Sequence, residues 1–319
     1  MAWQPSATFE TLRLRARILA VIREFFTARD VLEVETPALS PWGTTDPALT
    51  SLHTTVSALG TARSYLHTSP EFAMKRLIAA GSGDIYQICR VYRDGELGRW
   101  HEPEFALLEW YRVGWDDLAL MDEVGELLAA CLGPERIAGS PLRLSYTDAF
   151  AEHLGVDAWA DAGTIAAALE SHTIEVPDTL DRRGLLDLAL STVIVPRLPS
   201  DRLIYIYDFP ADQAALARLK DSTPAVAARF EVFIDGIELA NGYAELTDAL
   251  EQRARFEAER NAQARLGRNA PPSDETLLAA LAHGLPECAG VAIGIDRLVA
   301  IAAGLDGISA AVSFAHHRA

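Results

Sequence analysis

The stretch that most constrains the fold is residues 229–246, RFEVFIDGIELANGYAEL. Two strand-forming runs, 230–234 and 237–240, are separated by Asp235-Gly236. An Asp-Gly pair between such runs is the strongest short-range mark of a two-residue β-hairpin. A turn of that length predicts the register: Ile234 opposite Ile237, Phe233 opposite Glu238, Glu231 opposite Ala240. Alternation then puts Glu231, Phe233, Glu238 and Ala240 on one face. The two glutamates become diagonal neighbours, with Cα atoms roughly 7–8 Å apart. Carboxylates that close repel unless a proton or cation lies between them. Hard oxygen ligands of this kind suit Mg²⁺, which binds one or two carboxylates together with substrate phosphates. The plainer alternative is a solvated hairpin face. Further on, Asn241, Gly242 and Glu245 bring polar groups into an apolar strand. Strict alternation would turn Glu245 away from Glu238, so a bulge is expected near Gly242 that returns Glu245 to the same side.

The chain has 319 residues, enough for one large domain or two ordinary ones, and half of them are hydrophobic. A net charge of −17 argues against a nucleic-acid partner, because backbone binding needs clustered Lys and Arg. It leaves room for a local basic cleft that takes ATP. Cys89, Cys131 and Cys288 lack CxxC spacing and read as buried thiols of a reducing compartment. The N-terminus has no signal-peptide pattern, and no apolar run reaches the ~18 residues of a membrane span. A soluble cytoplasmic protein is expected.

Residues 11–29 carry apolar residues at helical spacing, and a short strand at 31–35 ends at Thr36-Pro37. Thr68-Ser69-Pro70-Glu71 reads as a helix start, with Ser69 as cap, Pro70 in the first position and Glu71 in the first turn. Complementing the helix dipole would be sufficient reason for Glu71. Residues 85–92 read as a strand, 93–103 as a polar loop, and 105–111 as a return strand. Phe105, Leu107, Glu109 and Tyr111 share one face of that return strand. Burying a glutamate there is costly without a ligand or partner; a cross-strand pair with Arg90 or Arg93 would be one such partner. Residues 117–132 read as a helix, 145–200 as short helical stretches without a motif, 203–207 as a strand and 211–220 as helical. Helices follow at 247–267 and 274–284. Residues 290–295 form a short strand, with Asp296 and Arg297 opening a helix. An arginine at such a junction, beside glycines, can reach a phosphate that approaches the backbone closely.

Together these segments resemble the catalytic domain of class II aminoacyl-tRNA synthetases, in their lysyl branch. The helix, strand and Pro37 resemble that class's motif 1, a dimer element; residues 85–111 resemble motif 2; GVAIGIDRL, 290–298, resembles motif 3. TSPE at 68–71, PEF at 103–105, EWY at 109–111 and the hairpin stretch carry the lysyl pattern, in the family's order over most of the chain. The resemblance implies an α+β fold, an antiparallel sheet flanked by helices, as one catalytic domain over 1–319. No GxGxxG or P-loop motif competes with it. Motif 1 begins within the first few dozen residues, so no anticodon-binding domain is expected. Within the family that architecture, and Ala292 where lysyl-tRNA synthetases typically carry glycine, point to the free-standing paralogues. Those activate (R)-β-lysine with ATP and transfer it to a lysine of elongation factor P, without tRNA and as homodimers. A truncated enzyme activating α-lysine for another acceptor and a catalytically silent regulatory paralogue are the alternatives.

The resemblance also implies residue roles. Arg93 matches the arginine that holds the α-phosphate and the amino-acid carboxylate, and Arg297 the motif 3 arginine on the other face of the nucleotide. His101 matches a residue near the γ-phosphate and Phe105 the aromatic that stacks on adenine. Asp94, Gly95, Glu102, Leu239, Asn241 and Gly294 fall at further ATP-binding positions. Glu231 and Glu238 match the Mg²⁺-binding carboxylates. Ser69, Pro70 and Glu71 match the amino-acid site, with Glu71 as amine ligand. Tyr111 and Glu245 match the ligands of the side-chain ammonium, and Glu109 and Ala292 also fall in that site. Two positions depart from the family. Arg93-Asp94-Gly95 stands for Arg-Asn-Glu, so the adenine-edge glutamate is lost or replaced by Glu96. HEPEF stands for HNPEF, so Glu102 replaces an asparagine expected to read adenine through its amide or its backbone.

Overall fold

The computed structural model describes residues 3–59, 63–133 and 135–319. The chain divides into two compact units: residues 1–115 with 247–319, and residues 116–246.

The first unit is seeded by helix Phe9–Thr27, which starts two residues earlier than the periodicity suggests because Thr8 caps it by accepting from the Thr11 amide. Its buried stripe, Ile18, Ile22, Phe25 and Phe26, follows helical spacing. Phe26 stacks on Tyr86 at 4.5 Å and meets Trp110 edge-on at 5.3 Å, which fixes the helix to the sheet. Besides a small sheet of Leu39–Ser40, Arg63–Leu66 and His53–Thr55, the strands of this unit run Leu32–Glu33, Ile85–Tyr92, Glu104–Val113, Cys288–Gly294 in spatial order. The last three are antiparallel, but Leu32–Glu33 runs parallel to Ile85–Tyr92. The sheet is therefore mixed: a long crossover between two strands permits the parallel pairing that a tight turn forbids. Helix Glu71–Ala79 corrects the expected cap. Pro70, which has no side-chain oxygen to offer, takes the cap position, and Ser69 Oγ accepts from the Glu71 amide at 3.0 Å. Helices Ala249–Arg265, Glu275–Gly284 and Ile295–Ala302 complete the unit, the last starting directly from strand Cys288–Gly294. Asp296 anchors that junction. It accepts from the Ala106 amide at 3.0 Å and pairs with Arg15 at 2.5 Å.

In the second unit Leu142–Ser145 pairs parallel with Ile204–Pro210, which pairs antiparallel with Val226–Ile234. The crossover between the first two carries helices Tyr146–His153, Ala162–Ser171 and Arg182–Ala189. Tyr146, Phe150, Leu169, Leu186 and Ile194 form a core with Phe209 of the sheet. The expected helix at 211–220 is instead a 3₁₀ turn, Ala211–Gln213, and a short strand, Leu219–Lys220, paired with Val226 and Ala227. Lys220 Nζ reaches Asp117 and Asp208, both at 2.7 Å. These tertiary ion pairs and the free sheet edge outweigh a helical propensity that is high for this Ala- and Leu-rich stretch but readily overridden by tertiary context.

The hairpin forms as expected around Asp235 and Gly236, both at positive φ (52° and 73°), as a type I′ turn requires. Ile234 faces Ile237 and Phe233 faces Glu238, but Val232 then faces Ala240 and Glu231 faces Asn241. The extra residue is Leu239, so the bulge precedes the expected position at Gly242. It lets two successive apolar side chains, Leu239 and Ala240, both be buried. Beyond Leu239 the alternation reverses, so Glu238, Asn241 and Tyr243 share the face of Glu231, and the strand ends at Ala244, one residue before Glu245.

Candidate active site

Two clusters of functional side chains are built, one in each unit. In the first, Glu109 lies in the middle of strand Glu104–Val113, between Gln87 and Ala292 of its two neighbouring strands. It is buried. Its Oε1 accepts from Tyr111 Oη at 2.6 Å and its Oε2 from Ser69 Oγ at 2.7 Å. The expected alternative, a pair with Arg90 or Arg93, does not form: Arg90 meets Glu104 at 3.7 Å and Arg93 meets Glu96 at 3.5 Å. Glu71 is likewise more than a dipole partner, since its Oε1 accepts from Lys75 Nζ at 2.6 Å. Burial and then the Glu71 charge push Glu109 up to about 7, against the opposing pull of Tyr111, Ser69 and Lys75.

That shift has a stability consequence. The folded value exceeds the ordinary 4.5, so the folded state holds more protons than the unfolded state between these values. The contribution of this group is full below the lower value and is lost as pH rises through the upper one. Glu109→Gln is therefore expected to flatten the decline in chemical-denaturation midpoint between about pH 5 and pH 8 relative to the parent chain. Equal slopes for the two proteins would contradict this placement of Glu109.

The same unit holds most of the expected nucleotide residues, while Leu239 and Asn241 belong to the second. The Arg93 guanidinium lies 5.0 Å over the Phe105 ring and donates to the Thr68 carbonyl at 3.3 Å. Arg297 donates to the Trp100 carbonyl at 3.2 Å, and its Nη2 lies 2.8 Å from His101 Nε2. The two expected phosphate groups His101 and Arg297 are thus brought together. Gly294 is the cap of the Arg297 helix, and a Cβ there would come no closer than 3.8 Å to other atoms. The protein's own packing does not demand glycine, which leaves that backbone open to close approach by a ligand.

In the second unit Glu231 is held by the expected Asn241 and by Arg229, a residue outside the expected set. Arg229 Nη2 and Asn241 Nδ2 both donate to Glu231 Oε1. Arg229 Nη1 donates to the Gln213 carbonyl at 2.8 Å. Burial pushes Glu231 up to about 7; Arg229 opposes this, while Glu238 and then Asp187 reinforce it. Glu245 is buried, with 2% of its surface exposed. The Glu231 and Glu238 carboxylates share one face of the hairpin, and with no thiol or imidazole among these contacts they are a hard-oxygen donor set that fits Mg²⁺ shared with phosphates. Among the described residues no group of three or more His, Cys, Asp or Glu side chains forms a protein-only metal cage. Sequence reasoning missed Lys75 and Arg229, although both were legible as spacing: Glu71 and Lys75 are one helical turn apart, and Arg229 is two residues from Glu231 on a strand.

The family model of class II tRNA synthetases (D, K and N) matches residues 2–318. The chain belongs to that family. A Vibrio cholerae serotype O1 protein named elongation factor P–(R)-β-lysine ligase is 47% identical, with 99% of this chain and 98% of the relative covered. Proteins of the same name from Edwardsiella ictaluri and Avibacterium paragallinarum are 45% and 42% identical, covering 100% and 99% of this chain and 98% of each relative.

Against this class II synthetase background the two departures acquire physical reasons. Gly95 sits at φ +81°, a conformation that strains other residues, so the glutamate usual there gives way to a turn. Glu96 takes up Arg93 instead. Glu102 is buried and points away from solvent: its Oε1 accepts from Ser309 Oγ at 3.3 Å and its Oε2 from the His316 amide at 3.1 Å. It ties the motif 2 loop to the C-terminal segment, so its side chain is not placed as an adenine reader. Glu102→Ala is expected to cost about 1–3 kcal/mol through the donors it strands. The ATP KM should stay within about threefold, as for a backbone contact that survives the change. Thermal denaturation and ATP titration check both parts.

Proposed function

We propose that this chain is an ATP-dependent ligase that activates (R)-β-lysine as an adenylate and transfers it to a lysine ε-amino group of elongation factor P. The observation that carries the reading is near-complete coverage of relatives that bear that name, at 42–47% identity. Ala292, the cross-strand neighbour of Glu109, supports a substrate whose amine is displaced by one carbon.

In the first half-reaction the β-lysine carboxylate attacks the α-phosphorus in line and pyrophosphate leaves. Arg93 balances the charge that accumulates there, and electrostatic stabilisation of this kind is the largest expected catalytic contribution. Phe105 offers a stacking face for adenine; Asp94, Gly95, Glu102, Leu239, Asn241 and Gly294 contribute nucleotide contacts, largely through backbone. His101 and Arg297 hold the outgoing phosphates. Glu231 and Glu238 would hold Mg²⁺, which when bound offsets phosphate charge. Ser69, Pro70 and Glu71 receive the substrate amine, while Tyr111 and Glu245 take the side-chain ammonium. A buried acid that needs a cation rejects analogues without one, because they leave it unpaired. Glu109 holds Ser69 and Tyr111 in position. In the second half-reaction the ε-amine of the acceptor lysine attacks the adenylate carbonyl, an amide forms and AMP leaves. Orientation suffices, with no covalent enzyme nucleophile.

We further propose that the two units act as a single catalytic domain, that the protein is a cytoplasmic homodimer, and that tRNA is not its acceptor. The net charge of −17 supports the last point. Among the described residues no helix is long and apolar enough to cross a membrane. ATP–pyrophosphate exchange with (R)-β-lysine, α-lysine and no amino acid, followed by transfer to elongation factor P monitored by intact mass, tests the reading. Preference for (R)-β-lysine and a one-residue mass gain are expected. Preference for α-lysine, or charging of tRNA, would overturn it.

A further inference from the structure

Lys75 has no part in the chemistry set out above, yet it is only 1% exposed. Lysine is almost never buried this fully unless it is paired. Its neighbours on helix Glu71–Ala79, Met74 and Ile78, are buried apolar residues, and an apolar side chain at 75 would continue that face without the desolvation cost of an ammonium. A cation kept here therefore has electrostatic work to do. Its Nζ lies 2.6 Å from Glu71 Oε1, one helical turn back, in the i,i+4 arrangement. The Glu71 amide donates to Ser69 Oγ at 3.0 Å, and Ser69 and Tyr111 are both bonded to Glu109. Lys75 also pulls against the rise in proton affinity of Glu109, so its charge is felt on both elements of the cluster.

We propose that Lys75 is a positioning and specificity-determining residue of the amino-acid site: its ammonium occupies Glu71 Oε1 and thereby confines the substrate amine to the other carboxylate oxygen. The inference rests on the reading of Glu71 as amine ligand. A fixed ammonium on one side of a carboxylate does two things. It holds the carboxylate in one rotamer, and it repels a second ammonium from that side. The amine of the substrate then has one approach, and whether it stands on the α- or the β-carbon decides whether it reaches. Lys75 acts on discrimination through Glu71 and touches no reacting atom.

The test compares the parent chain, Lys75→Met and Lys75→Arg in ATP–pyrophosphate exchange with (R)-β-lysine and with α-lysine, alongside denaturation midpoints. For K75M the KM for the preferred amino acid should rise about 10- to 100-fold, as for a misplaced binding group. The ATP KM should stay within about twofold and the preference between the two amino acids should shrink. K75R keeps the charge and should recover most of the discrimination. A merely structural lysine would lower the midpoint and leave both KM values and the preference unchanged, and that result overturns the proposal. So does a K75M whose ATP and amino-acid KM values rise together. If K75M does not fold, the neutral and polar Lys75→Gln decides: a several-fold rise confined to the amino-acid KM supports the proposal and an unchanged KM overturns it. A parent chain that prefers α-lysine would sink the proposed function alone, with Lys75 judged on α-lysine by the same criteria. A parent chain with no exchange at all would sink both.

Discussion

Replacing Arg93 with alanine is expected to lower the rate of ATP–pyrophosphate exchange by about 10²- to 10³-fold, the usual loss when one preorganised donor to developing charge is removed. The reason lies in how weakly the protein itself uses this side chain. Arg93 is half-buried. Its hydrogen bond to the Thr68 carbonyl is 3.3 Å and its contact with Glu96 is 3.5 Å, both long for charge-assisted bonds. An exposed or half-exposed pair of that kind contributes at most about 1 kcal/mol to stability. Activity should therefore collapse with little change in the denaturation midpoint. Arg93→Lys keeps the charge but not the planar fork, and should fall between the parent and alanine. A parallel loss of stability and activity would mean that Arg93 is structural.

Arg229→Met is expected to do the reverse, destabilising the second unit by about 3–5 kcal/mol, the cost of stripping the partner from a buried charge. Arg229 donates to the Gln213 carbonyl at 2.8 Å and to Asn241 Oδ1 at 3.3 Å, and its guanidinium lies 4.3 Å from the Phe209 ring. Burial works against its charge, but Glu231 foremost, with Tyr243, Glu238 and Asp187, more than restores it, so its proton affinity ends above the ordinary arginine value. Without it Glu231 would face Glu238 and Asp187 with no cation at its side. The deficit should be largest near pH 8 and shrink toward pH 5. Glu231 already titrates near 7, and losing Arg229 raises it further, so acid neutralises the orphaned carboxylate. Chemical denaturation at the two pH values measures this. Equal deficits at both would assign the effect to lost packing against Phe209.

Much of this protein is decided locally. Asp235-Gly236 sets a hairpin because the positive φ of its type I′ turn is cheap for just these residues, and strand Ile85–Tyr92 has the bounds that its residue pattern predicts. The motifs at 68–71, 93–105 and 290–298 also mark the family in advance. What the linear order could not decide is where two surfaces meet. The bulge falls at Leu239 because Leu239 and Ala240 are both buried, and burial is a property of the folded neighbourhood. Residues 211–220 abandon the expected helix for a sheet edge because Lys220 finds Asp117 and Asp208. Glu102, legible only as a departure, becomes an anchor through Ser309 and His316, more than two hundred positions away. The partner that Glu109 needed was foreseen, but not its identity as Ser69 and Tyr111. Turn dihedrals and side-chain alternation are short-range and are carried by the residues themselves; the pairing of buried charges depends on which atoms the packed chain brings within hydrogen-bond reach, and only the tertiary structure settles that.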